Sequence, residues 1–397
     1  MFEKVFQGSP RYFAWVGALL VMMALAGIFY LQQLQTGLGI TGLGRDVTWG
    51  FYIAQLTFLV GVAASAVMVV LPYYLHNYKA FGKMTVLGEF LAVSACTMCL
   101  LFVVVDIGSP QRALNLFFHP TPNSILFWDA VVINGYLMIN ALVTRVSLVA
   151  ERKGEAPPKW IKPVIYLSIP WAVSIHTVTA FLYAGLGARP FWLTAILAPR
   201  FLASAFASGP ALLIIVCLIL KRYGRFDAGE KAIQALSKIV AYALAVSIFF
   251  VLVEVFTVFY SGMPEHEAPF IYLFAGLEGH HNLVPWMWTS AVLAFAALGM
   301  LILPPIRRKE GLLAIACIAV FVSLWIEKGL GLVVTGFIPS PLEQITEYFP
   351  TGTEIAITLG VWAVGFLILT LFYQIFVAVR SGIDGVRHDE AAANMKD

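Results

Sequence analysis

Ionisable side chains inside long apolar stretches are the first chemical feature of this sequence. Asp106, Asp129, His176 and Glu254 each lie within or at the end of a stretch almost free of other charges, and Glu89 lies in another part of such a stretch. Titratable groups are costly in an apolar environment and commonly mark places where protons, ions or ligands are handled. A histidine and a carboxylate side by side can donate to a carbonyl oxygen and exchange protons with it.

The composition shows what kind of element must position these side chains. Of the 397 residues, 60% are apolar and only 12% are charged, and the mean hydropathy is +0.86. Soluble domains carry about 25% charged residues. The sequence therefore excludes an ordinary soluble enzyme and a disordered chain. A net charge of only +3, with the basic residues scattered, also argues against nucleic-acid binding.

Ten stretches are long and apolar enough to span a membrane, which takes about 20 residues in a helix. They are residues 12–34, 49–75, 86–106, 125–149, 163–185, 201–221, 237–260, 284–305, 311–327 and 355–379. The ninth is short and ends at Glu327 and Lys328, which are positioned to pair with each other. The sequence predicts an all-α polytopic membrane protein in which residues 1–397 form a single integral membrane domain.

Two runs of small residues suggest an internal repeat. Residues 61–65 (GVAAS) resemble residues 205–209 (AFASG), and each run is interpreted as opening a helix rich in small residues. Small residues let membrane helices approach closely, and they are common in such helices for that reason. A repeat would divide the domain into two four-helix bundles, residues 49–185 and 201–327, with flanking helices at 12–34 and 355–379.

The distribution of basic residues orients the spans. Of the 25 Lys and Arg residues, 20 fall on the side of the two termini and 5 on the other side. Positive charge accumulates on the cytoplasmic side, so both termini are predicted to be cytoplasmic and the protein to lie in the cytoplasmic (inner) membrane. The opposite, outer side carries the longer segments 35–48, 107–124, 186–200, 261–283 and 328–354. Long segments of this kind bind partners or serve only as solvated connections.

Most of the intramembrane polar groups lie near the outer face, Glu89 being the exception. Tyr52 and Gln55 stand near the outer end of the second span, Tyr183 stands near the outer end of the fifth, and Trp192 follows the fifth. This arrangement suits a quinone, which has a flat apolar ring, two carbonyl groups that need donors, and a reduction that takes up protons. The alternatives are helix-end carboxylates, a buried structural histidine and aromatic residues anchored at the membrane interface.

Resident metal cofactors are disfavoured. His176 is the one histidine clearly inside a span, so a paired haem b site is the weaker alternative, as is a metal bound by residues 265–267 with His280 and His281. The four cysteines lie in apolar runs, and Cys96 and Cys99 are interpreted as packing residues. The chain has neither a ferredoxin cysteine run nor a CxxCH haem motif. We therefore predict no haem, iron–sulfur cluster or metal site in this chain.

Several motifs carry a family resemblance. Residues 106–112 (DIGSPQR) and 119–124 (HPTPNS) resemble the signature of the NrfD/polysulfide reductase (PsrC-like) membrane-subunit family. Residues 49–50 (WG), the run at 61–65, residues 176–181 (HTVTAF) and residues 187–192 (GARPFW) agree with it. The resemblance covers residues 49–210 well and the remainder as a pattern of spans. It is strongest to the ten-helix branch, and within that branch to DsrP-type subunits of sulfur metabolism, followed by the related subunit of the periplasmic quinone reductase complex.

The resemblance implies an exchangeable menaquinone or menaquinol near the outer face. It also implies electron transfer to or from a periplasmic ferredoxin-like iron–sulfur subunit on the outer loops, with a multihaem cytochrome c and other membrane subunits as further partners. The acidic quinone-site residue of the family matches Asp106, and its fifth-span polar residue falls near His176. The predicted quinone-binding set is Asp106, His176, Tyr52, Gln55, Thr177, Tyr183, Arg112 and His119. The predicted proton-transfer set is Asp129, Glu254 and Glu89.

Three functional hypotheses follow from these observations. The first is a quinone-reactive membrane anchor in a respiratory redox complex that exchanges protons at the outer face. The second is a transporter or proton-conducting channel without a redox role, which needs polar groups in both halves of the membrane. The third is a structural anchor without a ligand.

Overall fold

The computed structural model describes residues 8–224 and 226–394, with side chains as far as Val379. Residues 1–7, 225 and 395–397 of the predicted single domain lie outside this range, and so do the basic residues Lys4, Arg225 and Lys396. The helices are α1 Pro10–Thr36, α2 Phe51–Ala63, α3 Val67–Leu75, α4 Thr85–Asp106, α5 Asn115–Phe118, α6 Ile125–Lys153, α7 Ile161–Ala184, α8 Leu197–Tyr223, α9 Glu230–Ser261, α10 Pro264–Phe274, α11 Val284–Ile302, α12 Pro304–Arg307, α13 Glu310–Leu324, α14 Leu332–Thr335 and α15 Gly352–Asn394.

The all-α prediction is confirmed, because the described residues form helices joined by turns and contain no β-strand beyond one isolated bridge between Leu277 and His280. The predicted number of spans is confirmed as well. Over the described part of the chain, ten helical stretches are long and apolar enough to cross a membrane. The protein is therefore a multi-pass integral membrane protein.

The ninth span differs from its prediction. It runs from Glu310 to Thr335 and does not end at Glu327 and Lys328, because a π-helical segment, Trp325–Gly331, joins α13 to α14. The predicted pairing of these two residues is also wrong. Glu327 forms an ion pair with Arg200, whereas the Lys328 Nζ donates to the Phe201 carbonyl at 3.3 Å. Because these charged side chains have partners inside the protein, the helix can continue past them within the membrane. The π-helical segment is a further feature that often occurs at functional sites.

Helix ends follow local signals in the sequence. Ser9 caps α1 by accepting a hydrogen bond from the Tyr12 N–H at 3.3 Å, and Pro10 occupies the first position, where no N–H is needed. Gly154 ends α6 in the left-handed conformation. The predicted outer segment 261–283 contains a further helix, α10, which begins at Pro264.

Helix α2 lies at the centre of the molecule. It is apolar on all sides and buried along almost its whole length, as expected of a helix surrounded by other helices. It packs against α4, α7, α8 and the π-helical segment. Helix α8 packs in turn against α9 and α13, and α11 against α9 and α13. Helices α1 and α15 pack against each other, and α15 also packs against α4 and α6.

The two small-residue runs meet where α2 crosses α8. A Cβ atom added at Gly209 would lie 2.8 Å from the Ser65 N and 3.1 Å from the Gly61 carbonyl, so only glycine allows this approach. The second span breaks at the same level, since residues 64–66 form a turn between α2 and α3. The runs thus form the contact between the two halves of the chain. The two-bundle repeat itself stays an interpretation.

Candidate functional site

Three helix ends bring polar side chains together on the side opposite the termini, which the basic residues predict to be the outer side. The Tyr52 hydroxyl, at the start of α2, donates to the Gln33 Oε1 near the end of α1 at 2.8 Å. The Gln33 Nε2 donates to the Val105 carbonyl at the end of α4 at 2.7 Å. Asp106, the next residue, has a buried Oδ1 with no hydrogen-bond partner. We call Gln33, Tyr52 and Asp106 the outer polar cluster.

A second carboxylate stands close to the outer polar cluster. Glu354, in the first turn of α15, is fully buried and lies within electrostatic range of both Tyr52 and Asp106. It accepts hydrogen bonds from the Gly42 N–H at 2.7 Å and the Tyr348 hydroxyl at 2.5 Å. The positive end of the helix dipole favours its negative charge. Unlike Asp106, Glu354 is held by several donors.

Tyr348 ties this carboxylate to the start of α2. Its hydroxyl donates to Glu354 and accepts a hydrogen bond from the Phe51 N–H at 2.7 Å. Burial and the neighbouring negative charge of Glu354 raise the pKa of Tyr348 well above its ordinary value. The hydroxyl therefore keeps its proton and its role as a donor.

Gln55 and Tyr183 line the neighbouring interior. The Gln55 Oε1 accepts from the indole N–H groups of Trp325 at 3.0 Å and Trp362 at 3.1 Å, while its Nε2 is buried without a partner. The hydroxyl oxygens of Tyr183 and Thr57 lie 2.5 Å apart. Thr57 also donates to a carbonyl of its own helix, so Tyr183 is the donor in this pair.

His176 and Asp129 belong to a separate group deeper in the protein. The His176 side chain is fully buried, and both ring nitrogens lack a hydrogen-bond partner. The centroids of the His176 and Phe206 rings are 6.5 Å apart, and the two rings are nearly perpendicular. The Asp129 Oδ1 accepts from the Thr179 hydroxyl at 2.6 Å. The structure therefore does not join His176 to Asp106 by a hydrogen bond.

The remaining residues of the predicted quinone-binding set stand apart from both groups. The half-buried Thr177 donates to the Val173 carbonyl in its own helix at 2.9 Å. Arg112 and His119 are exposed in the outer segment between α4 and α6. These three side chains do not join the outer polar cluster.

An ion-pair cluster that the sequence analysis missed lies between α8, α9 and the ninth span. Arg200 contacts Glu254 and Glu327 at once, and all three side chains are buried or nearly so, with exposed fractions of 8%, 5% and 11%. Arg200 is predicted in the outer segment 186–200 but lies in the span Leu197–Tyr223, because nothing in the sequence indicates its partners. Lys328, the next residue after Glu327, lies 4.2 Å from the centre of the Phe201 ring. Glu89 is separate, and its Oε2 is buried without a partner.

No group of three or more His, Cys, Asp or Glu side chains within the described ranges could hold a metal ion. All four cysteines are buried and free. In the outer segments, the His280 Nδ1 lies 3.3 Å from the Glu347 Oε2. This pair thus joins the predicted outer segments 261–283 and 328–354.

Residues 39–339 match the family model described as polysulphide reductase, NrfD. The chain belongs to the NrfD family. The match covers most of the chain, including the outer polar cluster from Tyr52 onwards and the ion-pair cluster. It confirms the resemblance, while the similarity to the DsrP-type branch stays a prediction.

Several relatives of this NrfD-family chain are membrane subunits. It is 26% identical to a putative dimethyl sulfoxide reductase membrane subunit of Halobacterium salinarum, over 89% of each chain. It is 22% identical to a menaquinone reductase integral membrane subunit of Nitratidesulfovibrio vulgaris, over 92% of this chain and 91% of that protein. It is 26% identical to an Hdr-like menaquinol oxidoreductase integral membrane subunit of Archaeoglobus fulgidus, over 64% of this chain and 62% of that protein.

Proposed function

We propose that this NrfD-family chain is the quinone-interacting membrane anchor of a respiratory redox complex. It exchanges electrons between the menaquinone pool and a periplasmic ferredoxin-like iron–sulfur subunit, and it exchanges protons at the outer face. The observation that carries the proposal is the unpartnered Asp106 Oδ1 beside the hydrogen-bonded Tyr52 and Gln33. Two relatives whose names include menaquinone or menaquinol give further support.

The donors and acceptors of the outer polar cluster suit the two redox forms of a quinone. A buried acceptor without a donor costs about 1–3 kcal/mol, and a quinol hydroxyl would satisfy the Asp106 oxygen. Asp106 then takes the proton and releases it on the outer side, where α4 ends. The Gln33 amide has a second N–H beyond the one bonded to Val105, which can donate to a quinone carbonyl. We assign His176 a supporting polar role at greater depth.

The partner subunit docks on the outer segments in this proposal. The segment that follows Asp106 carries the exposed Arg112 and His119 and leads away from the outer polar cluster. An iron–sulfur cluster bound above this segment would be near the quinone. A multihaem cytochrome c and other membrane subunits would complete the complex, with the chain in the cytoplasmic membrane and both termini cytoplasmic.

We assign proton transfer to Asp129, Glu254 and Glu89. Asp129 and Glu254 are buried in the outer halves of their helices, and Glu89 is buried towards the inner side with one oxygen unpartnered. Glu254 is held by Arg200, so its proton exchange requires that this ion pair opens. Buried carboxylates at different depths supply acceptors along the interior.

The test is quinol binding by purified wild-type protein and the Asp106→Asn variant, measured by quenching of tryptophan fluorescence with a menaquinol analogue. Loss of a hydrogen bond to a charged acceptor, about 1.5–3 kcal/mol, predicts a dissociation constant about 10- to 100-fold higher. Tyr52→Phe should also weaken binding, and Glu265→Gln, an exposed outer carboxylate, is the control. Unchanged binding in both Asp106→Asn and Tyr52→Phe would overturn the site.

One observation favours a second candidate, a proton-conducting channel without a redox role. Lys328 and His176 are buried near the crossing of α2 and α8, and the histidine nitrogens have no partner. A conducting path needs such groups in the middle of the membrane. Proton uptake by proteoliposomes that contain this chain alone, measured with an internal pH dye, would support the channel. A dependence of uptake on quinol and a redox partner would support the anchor.

A further inference from the structure

A large cavity lies in the other half of the molecule. It has a volume of about 530 Å³ and is bounded by α9, α10, α11 and the ninth span. Its walls are almost wholly apolar and include the aromatic rings of Phe270, Phe274, Trp288 and Phe295. Sites for small apolar ligands have volumes of about 300–1,000 Å³ and a few polar groups. None of the residues of the outer polar cluster lines this cavity.

The cavity faces the bilayer at its side and is covered on the outer side by α10. Leu252, Phe259 and Phe295 line it and are about half exposed, although they belong to membrane-spanning helices. Those exposed surfaces face lipid, so a molecule dissolved in the bilayer can enter laterally. The occupant is therefore lipid-soluble.

The lining of this cavity includes one carboxylate. Glu327 is the single ionisable residue among its lining residues, and its side chain is 11% exposed. The Glu327 Oε1 accepts from Arg200, and no described residue donates to Oε2. Arg200 is shared with Glu254, and the nearby Lys328 donates its hydrogen bond to the Phe201 carbonyl and not to Glu327. The free oxygen therefore calls for a hydrogen-bond donor.

The other polar groups of the wall are mostly occupied. The Ser290 and Ser323 hydroxyls each donate to the carbonyl of the other residue at 2.8 Å. The remaining hydroxyl in the wall is that of Ser247. The polar pattern thus consists of one strong acceptor and one hydroxyl within an aromatic, apolar enclosure.

We propose that this cavity is a second site for a lipid-soluble quinol, with one hydroxyl donating to the Glu327 Oε2. A quinol supplies a flat apolar ring for the aromatic walls and an O–H donor for the carboxylate. A phospholipid acyl chain fills the walls but leaves the acceptor unsatisfied. An oxidised quinone presents a carbonyl oxygen to a carboxylate, which is repulsive. The site therefore prefers the reduced form.

The experiment counts bound quinol in nanodiscs under anaerobic, reducing conditions, by equilibrium dialysis with a radiolabelled short-chain naphthoquinol. Ala294 lines the cavity, whereas Ala296 in the same helix faces outward. Ala294→Trp fills the cavity, and Ala296→Trp is the matched control. Ala291→Phe fills the same cavity with a smaller ring and serves if Ala294→Trp does not fold.

We expect Ala294→Trp to lose one bound quinol per chain and Ala296→Trp to lose none. Glu327→Gln should reduce the preference for quinol over quinone at least fivefold. These outcomes are independent of the outer polar cluster, because Asp106→Asn should remove the quinol bound there and leave the quinol in the cavity in place. Equal quinol binding by Ala294→Trp and Ala296→Trp would overturn the proposal. Loss of a tightly bound phospholipid with all quinol retained, measured by mass spectrometry, would overturn it as well.

Discussion

Two neighbouring carboxylates, Glu354 and Asp106, illustrate how much the role of a single residue depends on its donors. Glu354 accepts from the Gly42 N–H, the Thr351 N–H and the Tyr348 hydroxyl, so its charge is compensated within the fold. Asp106 has a buried oxygen without any such donor. The first arrangement stabilises the outer helix ends, and the second leaves an acceptor open for a ligand.

Tyr348→Phe tests the structural role of the first arrangement. The change removes a donor to Glu354 and the acceptor of the Phe51 N–H, so we expect a loss of about 1–3 kcal/mol in the free energy of unfolding. Because the pKa of folded Tyr348 is raised, the difference from wild type should be constant below about pH 10, the ordinary tyrosine pKa. Above that pH the unfolded chain ionises first, and the difference should shrink.

The measurement is unfolding of detergent-solubilised protein by a denaturing detergent at several pH values. Tyr260→Phe is the control, since Tyr260 is 81% exposed. An unfolding free energy equal to that of wild type in Tyr348→Phe would contradict the prediction.

His176→Leu separates a ligand-related histidine from a packing residue. Both ring nitrogens are unpartnered, so an apolar side chain of similar size should leave stability unchanged or raise it. Quinol oxidation by the assembled complex should nevertheless fall about tenfold if a polar group is needed there. Thermal unfolding and quinol oxidation are measured on the same preparation. Full activity in His176→Leu would show that the histidine only packs.

At the level of helices, two features position the charged side chains of the interior: the close packing of α2 against its neighbours and the π-helical segment of the ninth span. The crossing of α2 and α8 depends on small residues, and the ninth span packs against α2 through Gly329, where an added Cβ would lie 3.1 Å from the Ala54 carbonyl. The π-helical segment lets Glu327 reach Arg200 while Lys328 points to Phe201. Such π-helical segments are rare and are frequently found at functional sites.

Gly209→Ala tests the helix crossing. The new methyl group would lie 2.8 Å from the Ser65 N, so the helices must separate, and we expect a destabilisation of about 1–3 kcal/mol. The control is Gly299→Ala in α11, where an added Cβ meets nothing within 4 Å. That change should stabilise by up to about 1 kcal/mol because alanine favours helix. The prediction would be contradicted if the unfolding midpoints of both variants were higher, or both lower, than that of the wild-type protein.

Considered as a whole, the molecule has a charge asymmetry across the membrane and polar sites in its outer half. The 20 basic residues on one side and 5 on the other predict that the outer polar cluster and the lateral cavity both face the exoplasmic leaflet. Partner subunits and quinol would then meet on the same side of the membrane. The sidedness is therefore central to the proposed function.

Cysteine labelling tests this sidedness. All four native cysteines are buried, so an introduced cysteine is the principal reactive thiol. Thr121→Cys in an outer segment should react with a membrane-impermeant maleimide in spheroplasts, whereas Lys153→Cys should react only after permeabilisation. Both positions are exposed, which makes them a matched pair. Labelling in the opposite order would reverse the orientation.

Hydropathy and motifs were enough to predict the all-α membrane class, the number of spans and the family. These conclusions depend on hydropathy and local motifs, which are read along one helix at a time. The partners of the polar side chains became apparent only from the packing of the helices. This packing brought Gln33 of α1 to Tyr52, buried Glu354 beside them, and placed Arg200, Glu327 and Lys328 inside a span. A charge within a membrane is tolerated when it meets an opposite charge or a donor, and those contacts come from residues far apart in the chain. A prediction from hydropathy alone therefore ends the ninth span at residue 327, whereas the helical span continues to Thr335.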